Sequence, residues 1–125
     1  NNYQLILPPP PPLRFEIIPY SNMVRVEWSD EPDTDPDFKG YRLYRSTGIL
    51  DSSFNLVFEC SLDEDNITHS FNDTSLVENI DYYYYLSSYS VDSALNVLES
   101  SRYYTQTKIP VSLGDISDIT PIATP

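Results

Sequence analysis

The chain has 125 residues, a single cysteine and a formal net charge of −12. That length suits one domain with one core. The charge repels phosphate backbones and anionic lipid surfaces, which argues against nucleic-acid binding and membrane adsorption. Cys60 has no second cysteine to form an internal disulfide with, and no apolar run reaches the roughly 18 residues that would cross a bilayer. Eleven tyrosines against three glycines favour strands over helices. An opening at Asn1 without a leader and an end at Pro125 fit a mature protein or a piece of a longer one.

In chain order, Tyr3, Leu5, Ile6 and Leu7 form a short apolar β-former. Pro8 to Pro12 follow as an unbroken run, a stiff polyproline II spacer. Residues 1–12 therefore read as an extended segment plus linker, available for strand pairing outside the domain. Residues 13–110 read as the folded body. Its period is two: in Val24-Arg25-Val26-Glu27-Trp28 the two valines and Trp28 share one face and the charges the other. Tyr41 to Arg45 repeats this with Tyr41 and Leu43 inward. Further strands are expected at 13–18, 55–60, 69–72, 82–89 and 102–108, separated by Asp, Asn, Ser and Pro. Residues 111–125 read as a C-terminal linker or extension. Seven short strands without a helical stretch predict an antiparallel β-sandwich.

The order of landmarks resembles a fibronectin type III domain of the kind found in bacterial secreted multidomain proteins. A proline-rich entry leads to "VRVEWS" with Trp28. The acidic loop "DEPDTDPDFKG" leads into "GYRLYRS", "THSFNDTSL" with Phe71 resembles the fifth strand, and "LVENIDY" resembles the turn before a tyrosine corner. The resemblance spans about residues 10–109 and implies an immunoglobulin-like sandwich. It makes Leu76 and Tyr82 the corner pair, with the Tyr82 hydroxyl bonded to backbone a few residues upstream. Tyr82, Tyr84 and Leu86 then face the core, while Tyr83, Tyr85 and Tyr89 face outward with Tyr44 of the neighbouring strand. Asn79 stands where the family uses glycine, and asparagine tolerates positive φ. No Arg-Gly-Asp follows Tyr89, so integrin-type adhesion has no support.

Chemistry-bearing groups are few. Cys60 and His69 are the one thiol and the one imidazole, the sole materials for a nucleophilic dyad, and a sandwich offers them no cleft; the chain reads as non-enzymatic. Asp30, Asp33, Asp35 and Asp37 are weak candidates for calcium, because clustered carboxylates supply its oxygens; a solvated turn with aspartate caps is the competing reading. Asn66 and Asn72 open N-glycosylation sequons. The outward tyrosines suit either an interface or cross-strand stabilisation. The expected role is a spacer or interaction module in a secreted or surface protein, with neighbouring domains or other subunits as partners. The alternatives are a filament subunit pairing through its extensions and a carbohydrate-binding accessory domain using the tyrosines.

Overall fold

The computed structural model describes residues 5–47, 53–102, 105–107 and 111–113; Tyr3 and the expected extension beyond 113 lie outside them. Alternating apolar residues produce seven strands: β1 (Phe15–Pro19), β2 (Val24–Trp28), β3 (Gly40–Thr47), β4 (Asn55–Ser61), β5 (Ser70–Asp73), β6 (Tyr82–Val91) and β7 (Val97–Glu99). They form two antiparallel sheets, β1-β2-β5 and β4-β3-β6-β7. The core lies between them. Val24, Val26, Trp28, Tyr41, Leu43, Tyr82, Tyr84 and Leu86 are buried, and Phe71 and Leu76 pack half-buried against them.

Two backbone positions depend on residue type. A Cβ at Gly40 would stand 2.1 Å from the Cys60 carbonyl oxygen, so β3 and β4 approach this closely only without a side chain. Asn79 has φ 67°, the left-handed turn expected where asparagine replaces glycine. Beyond it, the Val77 amide donates to the Tyr82 hydroxyl at 2.9 Å, the upstream bond that the corner reading requires.

Three features differ from the expectation. Of residues 102–108, the described ones, Arg102 and 105–107, belong to no named strand. The chain turns back at Asp92, whose carboxylate accepts the Ala94 and Asn96 amides, and pairs at once as β7. It then follows β6 as isolated bridges, Gln106 to Tyr85 and Val111 to Tyr82; Tyr103, Tyr104 and Lys108 lie outside the described residues. Val111 is buried in the core cluster, so the sandwich continues past residue 110. Second, the proline run is not held away from the sandwich. Pro9 and Pro12 are fully buried, and carbonyls of the run and of the residue before it accept hydroxyls from β6, Ser88 to Pro10 and Ser90 to Leu7, each at 2.8 Å. Seryl side chains are short enough to let a polyproline strand lie against the sheet, and they satisfy carbonyls that proline, lacking an N–H, cannot pair by itself. Third, the acidic loop carries a 3-10 helix, Glu31–Thr34, with Pro32 in its first turn.

Candidate interaction face

The expected aromatic surface lies on the outer face of the four-stranded sheet. Strand register places Tyr44 opposite Tyr85, Arg42 opposite Ser87 and Gly40 opposite Tyr89. Tyr44 and Tyr85 stack with centroids 4.5 Å apart and planes at 16°. The other face of Tyr85 carries the Arg102 guanidinium, 4.5 Å from the centroid. Phe54 meets the Tyr85 ring edge-on at 4.9 Å, and Arg102 also covers Phe54 at 5.3 Å. Tyr85 is thus enclosed on both faces and on one edge. Burial raises its hydroxyl pKa, opposed by Arg102.

An ionic network continues from the stack. The Tyr44 hydroxyl donates to Glu99 at 2.8 Å, and Ser87 donates to the other oxygen of Glu99. Arg42 bonds Glu59 at 3.0 Å and reaches Glu99 at 3.5 Å. Partial burial and the Glu99 carboxylate push Tyr44 up to about 12. Burial and Glu59 do the same to Tyr89, up to about 12.

Of the four tyrosines singled out, Tyr44 and Tyr85 meet, and Tyr83 stands half-buried opposite Ser46. Tyr89 is a correction: it is 6 % exposed, not an open surface ring. Arg42 lies over its ring at 4.9 Å, and β7 pairs beside it through Glu99. Alternation sends Tyr89 outward, but it cannot say what then covers the ring. Phe54 was not anticipated, because it lies outside the expected and observed strands and carries no periodic signal; Arg102, expected to open a strand over 102–108, lies in no named strand.

The other candidates separate. Asp33 accepts the Tyr41 hydroxyl through one oxygen and bonds His69 Nε2 at 2.8 Å through the other. Asp35 accepts the Asp37 amide at 2.8 Å, and the Asp30 carbonyl accepts the Asp33 amide. The four carboxylates do not converge; among the described residues no group of three or more His, Cys, Asp or Glu is placed to hold a metal. Cys60 is buried, directs its thiol at the Thr68 carbonyl at 3.8 Å, and has its pKa raised chiefly by burial, which depresses its nucleophilicity. His69 instead packs edge-on against Tyr41. Both sequon asparagines are exposed; Asn66 Oδ1 accepts the Ser61 amide and Asn72 Oδ1 accepts from Arg25. In the N-terminal segment Leu5 and Leu7 are 64 % and 59 % exposed, and Tyr3 lies outside the described residues.

A second polar cluster has no signature in the sequence. Asp73, on β5, is 2 % exposed. One of its oxygens accepts Arg45 of β3 at 2.7 Å and the Tyr84 hydroxyl of β6 at 2.8 Å. It is a charged clamp between the two sheets. No family model matches the chain, and comparison with curated proteins yields no match.

Proposed function

We propose that the chain is a fibronectin type III-like module serving as a non-catalytic spacer with an interaction face, in a larger secreted or surface protein. The observation that carries this reading is the path of the chain through the sandwich. Leu7 lies beside Ser90 at one end of β6, and Val111 pairs with Tyr82 at the other. At about 3.4 Å per residue, entry and exit are separated by roughly 27 Å along the strand. Modules that enter at one pole and leave at the other join end to end and keep the distance between whatever they connect.

The family-level part of the reading is supported by the strand order. The first, second and fifth strands face the third, sixth and seventh, an order that immunoglobulin-like sandwiches share, and the Val77 amide bond to the Tyr82 hydroxyl is of the kind the resemblance implies. The fourth strand pairs with the third, whereas the constant-type immunoglobulin arrangement places it on the other sheet. The carbohydrate alternative is disfavoured at Tyr85, since a sugar platform needs an open ring face and both faces of this ring are taken. The test is X-ray scattering from a tandem fusion of two copies. A spacer gives a maximum dimension near twice that of one copy; a compact side-by-side pair overturns the reading.

A further inference from the structure

Both sides of the chain are fastened to β6, and a pull on them acts on this strand from opposite directions. On the entry side Ser90 and Ser88 donate to the Leu7 and Pro10 carbonyls. Following the segment from Leu7 to Pro10 means following β6 backward from Ser90 to Ser88, so the two run antiparallel. On the exit side the Tyr82 and Leu86 amides donate to the Val111 and Thr105 carbonyls, and the Val111 and Thr107 amides donate to the Tyr82 and Tyr84 carbonyls, at 2.7 to 2.9 Å. The exit pairing is antiparallel to β6 as well. A pull on the N-terminal side therefore draws Leu7 and Pro10 toward the Val91 end of β6. A pull on the C-terminal side draws Thr105, Thr107 and Val111 toward the Tyr82 end.

Such a pull acts along the strand, whereas the hydrogen bonds of antiparallel pairing lie perpendicular to it. The bonds are then stretched together, not opened one after another. The entry segment is suited to pass tension on. Polyproline II rises about 3.1 Å per residue, close to the roughly 3.3–3.6 Å of a fully extended chain, and it has no internal hydrogen bonds to yield. Pro9 and Pro12 are buried against the sandwich, and Ser88 and Ser90 are 0 % exposed, so water does not compete for their hydroxyls. The chain continues from the prolines into β1, in the three-stranded sheet, whereas its exit pairs with the four-stranded one. The two serine bonds thus tie the entry to the sheet that also holds the exit.

We propose that β6 carries tension through the module: a pull on the two sides passes from the proline segment through the Ser88 and Ser90 hydroxyls into β6 and leaves through its pairing with Thr105, Thr107 and Val111. The inference rests on the spacer reading and deepens it, since a module joined at both sides is one that is pulled at both. The two readings fail separately. A compact tandem in X-ray scattering speaks against the spacer, while the clamp is tested on single copies.

The test is single-molecule pulling of the full chain in two geometries. One pulls at residues 1 and 125. The other pulls through Leu62→Cys and Ala94→Cys, exposed positions just after β4 and just before β7. These sit at the Val91 end of the two outer strands of the four-stranded sheet, so the pull acts across the strands and opens their bonds in succession. At one force the wild-type chain should unfold several-fold more slowly when pulled end to end. Ser88→Ala and Ser90→Ala should each speed end-to-end unfolding about five-fold, the loss of one neutral hydrogen bond, and leave the transverse rate unchanged. Should a serine variant fail to fold, the attachment is moved instead from residue 1 to Leu13→Cys, at a position 85 % exposed. That geometry leaves the proline segment docked but outside the path of the force, and unfolding should be faster than from residue 1. Equal rates in the end-to-end and transverse geometries, equal effects of the serine variants on both, or no change on moving the attachment to residue 13 overturns the proposal.

Discussion

At the scale of single residues, one hydroxyl and one carboxylate carry effects that neighbouring residues of the same type do not. Tyr82 is buried and its hydroxyl accepts the Val77 amide, so Tyr82→Phe orphans a backbone donor. A loss of about 1 kcal/mol in denaturant unfolding is expected. Tyr83→Phe, one position along and facing outward, is expected to leave the midpoint unchanged, and equal midpoints for the two variants would refute the corner. Asp73→Ala removes the acceptor shared by Arg45 and Tyr84 and leaves an arginine facing the core without its counter-ion. Such a loss costs about 3 kcal/mol. Glu59→Ala is the control. Its pair with Arg42 is 37 % exposed on the glutamate side, and solvent-exposed pairs contribute about 0.5 kcal/mol or less. The contrast is measured by urea unfolding of both variants.

Tyr44 and Tyr89 extend this to pH. Burial raises both hydroxyls from 10.0 to about 12. The folded state therefore holds these protons at a pH where the unfolded chain has released them. Their contribution is fully present below pH 10 and is lost as pH rises through about 12. Absorbance titration of the native protein should show these tyrosines ionising late, with thermal stability falling over the same window. Ionisation of all the tyrosines near 10 without loss of structure would contradict the packing of the outer face.

At the scale of elements, the N-terminal strap and the acidic loop decide most. A chain starting at Leu13 loses the two serine-to-carbonyl bonds and uncovers the inner face of β6 beneath Pro9 and Pro12. A fall of about 2 kcal/mol or more is expected from the two bonds and the apolar area together. A chain starting at Leu7 retains both bonds and is expected to unfold at nearly the wild-type midpoint. Differential scanning calorimetry of the two truncations separates a strap that belongs to the sandwich from one that is a free linker. In the acidic loop, Asp33 already satisfies Tyr41 and His69, and Asp35 is spent on the Asp37 amide. Millimolar calcium should raise the melting temperature no more than magnesium does. A calcium-specific rise abolished by Asp33→Asn would show that the carboxylates converge when the ion is present.

At the scale of the whole molecule, most of the fold was legible in particular residues. Val24, Val26 and Trp28 alternate with charge, and a period of two admits only a half-buried strand. Tyr41 and Leu43 repeat the pattern; which tyrosines of β6 face inward was what the resemblance implied, by making Tyr82 the corner residue. These signals are local, because a strand's two faces are decided by its own side chains. The site was less legible. The sequence marked Tyr44 and Tyr85 as outward, but their enclosure by Phe54 and Arg102 depends on where two irregular segments come to rest.

By itself, then, the sequence determined the two-layer β architecture and the inward residues of β2 and β3, since alternation acts within a few residues, while the corner turn and the facing of the β6 tyrosines were what the family resemblance implied. Tertiary structure decided the rest. Ser88 and Ser90 give no local sign that their hydroxyls bond carbonyls of the distant N-terminal segment. Tyr89 reads as a surface ring until Arg42 and β7 cover it. Asp73 gives no local sign of burial, which Arg45 and Tyr84 from the opposite sheet make tolerable. In each case the partner lies dozens of residues away or on another strand. A buried polar group is stable only when that partner arrives, which no local pattern can announce.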